Sequence, residues 1–548
     1  MNAQSALAAQ RRNKSEKRLM NALLLSAAFV AAYGGFAAMS CEAKGSPDAC
    51  IGGGGDCLDI QGLIDGAAAK GGGMVVVPAG LHETGPLHLK SNVELHFEDG
   101  AELLFTDDPE AYLPAVETSK GGVECLSYSP LVYANGATNI AMTGCGTLRP
   151  RMGLWECWQW GGTSAKRAQD VLFGTWGEND VPLEERDLTK LPDSKARPQF
   201  IGLRRCSGVR LEDFRIRHSP SWCIHLLECD DVAVRRIDIE AYMHNNDGID
   251  IESSRNVLVE DSRFSVGDDI ICLKSGRDRD GRRRGVPTEN VVVRRCVADC
   301  GHAFFGIGSE LSGGVRNAVM EDCVMEGTCA WLFRIKSTPT RGGFVENVAM
   351  RRVKAKTVTA SVLNITYGYD GGAEVEDMSV VPPTAISGVV LEDVKVGTAE
   401  RAVEIEGDGR RPVKGVSLKR VEVERCPKPD VLKNADVLRW PDSTASAAAP
   451  ELDIQGMIDG ASANGGGKVV VPAGRSGTSG SSAGAAATRR RSVRGRCPRS
   501  RASIPTRTCS AASCPPTACT RGTWTDSPWR TSRSSSSRAR RMDGTTRF

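Results

Sequence analysis

The 548 residues suffice for two or three compact domains or one elongated repeat domain, and 60 glycines with 5% aromatic residues favour turn-rich β structure over a helical bundle. The formal net charge of +3 is unevenly distributed: residues 475–548 contain 16 Arg and two acids, a net +14, which leaves −11 for the rest of the chain. This acidic remainder argues against nucleic acid as a partner.

The N-terminus has the pattern of an export signal. A basic segment around Arg11 and Arg12 precedes an uncharged stretch over 19–39, and small residues follow before Cys41. We interpret residues 1–43 as a signal peptide or membrane anchor, which predicts a secreted, periplasmic or cell-surface protein. Cleavage, a lipid on Cys41 and retention as an uncleaved anchor remain open, and after cleavage no contact with a membrane is expected.

Residues 44–440 are predicted to form one domain that begins with a cap. Residues 57–80 (CLDIQGLIDGAAAKGGGMVVVPAG) predict a short amphipathic helix, a glycine-rich turn and a buried strand. A cap is required because the open end of a repeat fold exposes unpaired strand edges.

A short phrase recurs through this domain: one Asn, Asp or Gly followed by alternating apolar residues. From the third copy onward the intervals are 23, 25, 34, 27, 30, 41 and 27 residues. Such spacing predicts an all-β fold, a right-handed parallel β-helix (solenoid) with an N-terminal helical cap. An insertion that bears Trp155 and Trp176 lies between the second and third copies, and we assign its tryptophans to packing. The copies begin at Asn92, Asn139, Gly208, Asp231, Asn256, Asn290, Asn317, Asn347, Gly388 and Gly415.

The 19 cysteines do not define a disulfide framework. Cys272, Cys296 and Cys323 lie within the repeats, where buried free thiols are common. Cys50 and Cys57 could pair in an oxidising compartment. No C-x-x-C spacing indicates zinc, and we predict neither a metal nor a cofactor.

The C-terminal region repeats the cap and then changes character. After a linker over 441–450, residues 451–474 match residues 57–80 at 19 of 24 positions. Residues 475–548 contain no Lys, no Glu and no apolar periodicity. We interpret them as an Arg/Ser-rich disordered tail produced by a frameshift, with a genuine basic tail as the alternative.

Four consecutive strands of the repeats end on a serine. When the strands are aligned on this serine, charged residues fall at equivalent positions. The strands are NNDGIDIES, GDDIICLKS, HAFFGIGS and LFRIKS, which end at Ser253, Ser275, Ser309 and Ser337. Neighbouring strands of a solenoid are about 4.8 Å apart, so residues at equal distances from the serine should be adjacent. The resulting patch spans four coils, which is three coil steps. Its members are Asp247, Asp268, Asp269, His302, Arg334 and Lys336.

This patch has the composition of a glycosidic site. Three close carboxylates cannot all ionise freely, because their repulsion raises at least one pKa. A protonated acid beside ionised carboxylates supplies both the proton donor and the base that glycoside hydrolysis needs. Arg334 and Lys336 offer cations to an anionic sugar. A single aspartate in such a turn more often caps backbone amides, but three in one register favour a site.

The same residues carry a family resemblance. The chain resembles glycoside hydrolase family 28, the polygalacturonases, over roughly residues 48–425, because the motifs N-T-D, G-D-D, G-H-G and R-I-K recur here in that order. The resemblance implies a pectic galacturonan as substrate. The motifs stand as Asn245-Asn246-Asp247, Gly267-Asp268-Asp269, Gly301-His302-Ala303 and Arg334-Ile335-Lys336.

The resemblance also implies roles for these residues. Asp268 would be the general acid, while Asp247 and Asp269 would activate water for single-step inversion. His302 would tune or orient the acid. The cations Arg334 and Lys336 would hold the galacturonate carboxylate, and Tyr367 in NITYGYD would be a tyrosine that contacts substrate.

Two positions depart from the family pattern. Asn246 replaces the common Thr and leaves Asp247 in place. Ala303 replaces the second Gly of G-H-G, and its methyl group beside His302 is expected to narrow the groove or shift substrate preference. Neither change removes a reacting atom.

We therefore expect a monomeric hydrolase of α-1,4-galacturonan, with long loops that favour exo action. A hydrolase of rhamnogalacturonan or another pectic polymer is an alternative within the same class. A calcium-dependent pectate lyase and a non-catalytic carbohydrate-binding solenoid are alternatives from other classes.

Overall fold

The computed structural model describes residues 58–158, 172–191, 195–369 and 381–440. The predictions for 1–43, for the pair Cys50 and Cys57, and for everything beyond 440 lie outside these residues. Within the described part, no helix is long and apolar enough to cross a membrane.

Helix α1 closes the N-terminal end of the fold. It spans Ile60–Ala69, and the Asp59 carboxylate caps it by accepting the backbone N–H of Gly62 at 2.8 Å. Ile60 and Ile64 lie four residues apart and bury the same face against the first coil. The predicted helical cap is confirmed, but the strand that follows alternates, with Val75 inward and Met74 exposed, rather than being wholly buried.

In the described residues, 28 strands form the body and pair in parallel, and two further strands form a separate antiparallel hairpin. The body strands stack in three columns, which we call sheets A, B and C, so that each coil contributes one strand to each sheet. The predicted all-β parallel β-helix is confirmed. Sheet A contains β1 (Gly73–Val77), β4 (Val93–Phe97), β9 (Thr138–Gly144), β12 (Ser207–Glu212), β15 (Asp230–Arg235), β18 (Arg255–Glu260), β21 (Thr288–Arg294), β23 (Val315–Glu321), β25 (Phe344–Arg351) and β30 (Ala435–Trp440).

Sheets B and C follow the same pattern on the other two sides. Sheet B contains β2 (Gly80–Thr84), β5 (Ala101–Phe105), β10 (Thr147–Pro150), β13 (Arg215–Arg217), β16 (Asp238–Ala241) and β19 (Arg263–Val266). Sheet C contains β3 (Leu87–His88), β8 (Val132–Asn135), β11 (Ile201–Arg204), β14 (Ile224–Leu227), β17 (Ile249–Glu252), β20 (Ile271–Lys274) and β29 (Val431–Lys433).

Toward the C-terminus the strands lengthen and pass from one sheet to the next without a break. Three of them bend from sheet B into sheet C, one passes through all three sheets, and one bends from A into B. They are β22 (Val297–Ile307), β24 (Val324–Lys336), β26 (Lys354–Thr366), β27 (Ala385–Glu406) and β28 (Val413–Arg425).

The remaining elements are short and lie outside the coils. An antiparallel hairpin is formed by β6 (Val116–Lys120) and β7 (Val123–Ser127). The helices are α2 (Gly153–Cys157), α3 (residues 172–178) and α4 (Asp278–Arg284), and the 3-10 turns are Pro109–Tyr112, Leu183–Glu185 and Leu188–Lys190. Trp155 and Trp176 are buried, in agreement with the packing role predicted for them.

The repeated phrase has a conformational cause. All ten of its first residues have a positive φ, between 53° and 65°, and each lies on sheet A at the start of a strand. This left-handed conformation is tolerated by Gly, Asn and Asp and disfavoured for other side chains, which explains the composition of the position. The asparagines also stack: Asn317 donates from Nδ2 to Asn290 Oδ1 at 3.3 Å and accepts from Asn347 Nδ2 at 2.9 Å.

Inside the coils, aliphatic and aromatic side chains form continuous rows. In sheet C, Ile271 aligns with Phe305 and Phe305 with Phe333, whose rings lie 5.2 Å apart. Burial of each such side chain contributes about 1.5–3 kcal/mol. Cys272, Cys296 and Cys323 are buried free thiols, as predicted, although the last two lie in turns between strands.

The asparagine stack yields a test of stability. We expect Asn317→Ala to lower the free energy of unfolding by about 2–3 kcal/mol, because two hydrogen bonds are lost and an alanine must adopt a positive φ. Asn317→Gly loses the same hydrogen bonds but tolerates the backbone conformation, so its loss should be about 1 kcal/mol smaller. Urea unfolding of both variants measures this, and equal losses would contradict the backbone argument.

Candidate active site

The predicted patch forms on the outer face of sheet C. The strand register pairs Ile249 with Ile271, Ile271 with Phe305 and Phe305 with Phe333, which reproduces the serine alignment residue by residue. Asp247 therefore lies beside Asp269 on the next coil, and Asp268 beside His302. Backbone hydrogen bonds confirm both pairs, since Gly248 N donates to Asp269 O at 2.9 Å and His302 N to Asp268 O at 2.8 Å.

The turn that presents Asp247 is fastened by the residue before it. Asn246 is fully buried, and its Nδ2 donates to Ser219 O at 3.0 Å and to Ser221 O at 2.7 Å. Its Oδ1 accepts the backbone N–H of Met243 at 2.8 Å. The Asn in place of the family's Thr thus satisfies three backbone groups and fixes the position of Asp247.

Asp268 and His302 form a hydrogen-bonded pair on adjacent coils. Asp268 Oδ1 lies 3.0 Å from His302 Nδ1, and about a third of the His302 side chain remains exposed. Burial alone would raise the pKa of Asp268, but the charge of His302 outweighs it and holds that pKa below its usual value. Burial likewise lowers the pKa of His302, while Asp268 reverses this and raises it above 6.5. Both shifts favour the ion pair, in which one proton lies between Asp268 and His302.

Asp269 is held as a carboxylate. Although burial opposes ionisation, Lys336 Nζ lies 2.6 Å from Oδ2 and lowers the pKa of Asp269. Oδ1 accepts the backbone N–H of Ala303 at 3.1 Å. Gly306 leaves the room that this carboxylate occupies, since a Cβ there would lie 3.2 Å from Oδ2. Ala303 is completely buried, so its methyl group does not narrow the groove, contrary to the expectation from sequence.

Asp247 differs from both of these carboxylates. It is 4% exposed, and its Oδ1 is buried without a hydrogen-bond partner. Burial, followed by the charges of Asp250 and Asp268, raises its pKa well above the ordinary value. Sequence reasoning missed Asp250, which is fully buried on β17 with Lys274 Nζ at 3.5 Å from its Oδ1. In the segment D-G-I-D-I-E, Asp250 alternates with apolar residues that face inward. This pattern could have indicated that Asp250 faces outward, toward the site.

The predicted cations occupy two environments. Lys336 lies in the site, where it contacts Asp269. Arg334 lies farther out: its guanidinium stacks on Trp331 at 3.4 Å from the ring centroid, and its Nε donates to Asn364 Oδ1 at 3.2 Å.

The structure corrects the tyrosine prediction. Tyr367 points into the core, is 5% exposed and donates its hydroxyl to Thr384 O at 2.6 Å. Tyr369, two residues later, faces the site instead. Both tyrosines follow the end of the strand at Thr366, so the alternation of an extended chain does not apply to them. Its ring lies 5.1 Å from Lys336 Nζ and 5.3 Å from the Arg334 guanidinium.

A cavity of about 320 Å³ opens beside these residues. Of the predicted residues it is lined by Asp247, Asp268, Asp269 and Lys336, whereas His302, Arg334 and Tyr367 do not reach its wall. Sequence reasoning missed most of the rest, because they come from segments with no repeat pattern. Lys274 lies on β20 within the serine alignment but was not assigned to the patch. The charged residues that were missed are Lys120, Lys195, Arg197, Arg277, Glu310 and Arg341.

The β6–β7 hairpin and Phe173 of the insertion form one wall of the cavity. The hairpin is tied to sheet C by Ser119 Oγ, which donates to Glu252 Oε1 at 3.1 Å. Its tip is tied to the loop after β20, since Arg277 N donates to Gly122 O at 2.9 Å. Phe173 from the insertion packs next to Gly121 and lines the same wall.

Asp268, Asp269 and His302 also place one potential metal-ligand atom each within 4.8 Å of one another. Lys336 Nζ is already bound to Asp269, and His302 shares its Nδ1 with Asp268. A cation at this point would have to displace an ammonium group and a proton, so the arrangement fits proton transfer better than metal binding.

Comparison with known proteins agrees with this geometry. The family model described as glycosyl hydrolases family 28 matches residues 184–446. A hyperthermoactive exopolygalacturonase from Thermotoga maritima is 35% identical, with a TM-score of 0.64 over 69% of this chain and 85% of that one. A probable polygalacturonase from Vitis vinifera is 27% identical over 72% of this chain and 77% of its own length. An endo-polygalacturonase from Pectobacterium carotovorum subsp. carotovorum is 26% identical over 62% and 80%.

The Asp268–His302 pair gives a measurable titration. We expect NMR to find the His302 pKa above 6.5 in the wild type, and Asp268→Asn to lower it, because burial then dominates. The stability contributed by the pair is fully present between the ordinary pKa values of aspartate, about 4, and histidine, about 6.5. It is lost as pH rises through the raised pKa of His302 and as pH falls toward the lowered pKa of Asp268. Asp65→Asn, on the exposed face of the cap helix, is the control, and an unchanged His302 titration in Asp268→Asn would refute the coupling.

Proposed function

Because the chain belongs to glycosyl hydrolase family 28, we propose that it hydrolyses α-1,4-galacturonosyl linkages of polygalacturonate by inversion, acting from a chain end. The observation that carries this proposal is a carboxylate patch that opens into a cavity lined by seven Lys and Arg side chains. Family membership favours hydrolysis over the lyase and binding-module alternatives. Export by residues 1–43 and a monomeric state remain predictions.

The Asp268–His302 pair is suited to donate the proton. Written either as carboxylate with imidazolium or as carboxylic acid with imidazole, the pair contains one proton that Asp268 can pass to the leaving glycosidic oxygen. His302 acts as a positioning residue that keeps this proton available in a site where neighbouring carboxylates and cations compete. Cleavage of the bond from C1 to that oxygen leaves the new hydroxyl on the departing chain.

Asp269 is suited to be the base. Lys336 keeps it ionised, so it can accept a proton from the water that attacks C1 on the opposite face. Burial and the neighbouring carboxylates raise the pKa of Asp247 and so favour its protonated form, which can hold the same water by a hydrogen bond. Each turnover consumes one water: Asp268 gives a proton to the leaving oxygen, and Asp269 takes one from the water. A proton must therefore pass from Asp269 back to Asp268 before the next turnover.

The cations account for an anionic sugar. Lys336 and Tyr369 line the site, and the Arg334 guanidinium lies 5.3 Å from the centroid of the Tyr369 ring. A galacturonate carboxylate at this point would exchange its hydration for charge-assisted hydrogen bonds in a partly buried setting. A neutral sugar would leave these donors without an anion.

The wall formed by the hairpin supports exo action. A polymer that passes through the site needs a groove open at both ends, and we assign to the hairpin and Phe173, which line one wall, the role of blocking one end. The chain can then enter only with its terminus against the wall.

Substitution of the acid tests the mechanism. We expect Asp268→Asn to reduce kcat on polygalacturonate by about 10³-fold or more, because an amide cannot donate the proton at the required acidity. Thermal unfolding should show an intact fold, since the solenoid core lies on the other face of the strands. Asp65→Asn is the matched control, and turnover near that of the wild type in Asp268→Asn would refute the role.

Product analysis tests the chain-end proposal. In the presence of a calcium chelator, purified enzyme should release reducing ends without ultraviolet absorbance from an unsaturated product. We expect only the smallest galacturonates from the first minutes, with a slow fall in viscosity. A ladder of intermediate sizes would contradict exo action but not hydrolysis.

A further inference from the structure

Two cations of the cavity wall differ from the others, which either form an ion pair with a carboxylate or, like Lys195, are exposed to solvent. Lys336 is paired with Asp269, Lys274 with Glu310 at 3.2 Å, and Arg341 with Asp278 at 2.8 Å. Lys120 and Arg197 also line the cavity, yet no carboxylate of the described residues lies within ion-pair distance of either.

Their contacts are instead to neutral oxygens. Lys120 Nζ donates to Arg197 O at 2.6 Å. Arg197 is 6% exposed, and its guanidinium donates to Pro220 O at 2.7 Å, to His244 O at 3.0 Å and to Asn245 Oδ1 at 3.0 Å. Buried charges in proteins are normally compensated by an opposite charge, so two adjacent uncompensated cations facing a cavity indicate a missing anion.

We propose that Lys120 and Arg197 form a second carboxylate-binding subsite, which holds a galacturonate unit on the hairpin side of the cleaved bond. The inference rests on the proposed function, since it assigns the anion to the substrate. Arg197 connects the subsite to the reaction centre, because it is hydrogen-bonded to the turn that carries Asp247. The terminal unit is therefore bound within one sugar of the cleaved linkage.

The subsite is built in advance of binding. The hairpin that carries Lys120 is fixed by Gln199, whose Nε2 donates to Ser119 O at 3.2 Å, and by Tyr133, whose hydroxyl donates to Glu117 O at 2.8 Å. Little conformational freedom remains to be lost when a ligand binds. Burial also lowers the pKa of Lys120 to about 7 and that of Arg197 to about 10, and a bound carboxylate would oppose both shifts.

Binding of digalacturonate, measured by calorimetry in the Asp268→Asn background so that the ligand is not hydrolysed, tests the subsite independently of turnover. Lys120→Met keeps the length of the side chain and removes the charge, and we expect it to weaken binding about tenfold, as loss of one charge-assisted hydrogen bond predicts. Lys395→Met, on the exposed part of β27 with its side chain 62% exposed, is the control and should bind like the Asp268→Asn parent. An unchanged affinity in Lys120→Met, or an equal loss for a neutral digalactoside, would overturn the proposal.

A ligand-side comparison in the same Asp268→Asn background, with Lys120 unchanged, covers the case in which Lys120→Met does not fold. Two disaccharides are used, each with one of the two carboxyl groups reduced to an alcohol. Two carboxylate subsites predict that both bind about tenfold more weakly than digalacturonate, whereas one disaccharide that binds as tightly as digalacturonate would overturn the second subsite. Release of reducing ends from polygalacturonate is measured separately with Asp268 intact, so a failed subsite with normal turnover is distinguished from a failed function.

Discussion

Everything in this molecule depends on the hydrogen bonds between successive coils. Parallel pairing allows no slippage once the rows of inward side chains are aligned, because a shift by one residue would turn the apolar row outward. The residue with positive φ that begins each repeated phrase also sets where the chain enters sheet A, so that successive coils start at the same point. Residues 20 to 40 positions apart in sequence are thereby placed side by side, and the carboxylate patch is one result.

This constraint explains which parts could be predicted from sequence. The repeated phrase and the serine alignment predicted the β-helix and the contacts of Asp247, Asp268, Asp269 and His302, because both depend only on strand register. Tyr367 was misassigned because the strand ends at Thr366 and the alternation no longer applies. Lys120 and Arg197 were missed because the hairpin and the insertion follow no repeat, and only tertiary packing brings them to the cavity.

The electrostatics of the site follow from burial combined with unequal partners. Asp268, Asp269 and Asp247 lie on neighbouring coils, but one faces His302, one faces Lys336 and one faces mainly other carboxylates. Their pKa values are consequently driven in opposite directions although the residue type is the same. The division of labour between donor and base thus originates in which side chain the next coil places opposite each aspartate.

The wall formed by the hairpin also has a kinetic consequence. A groove open at both ends lets a polymer slide forward after each cut, whereas under the proposed exo action the released sugar lies between the wall and the new chain end. The polymer must retreat before the product can leave, so successive cuts on one chain cannot be processive. Product dissociation then competes directly with substrate re-entry, and accumulating short galacturonates should act as competitive inhibitors of their own formation.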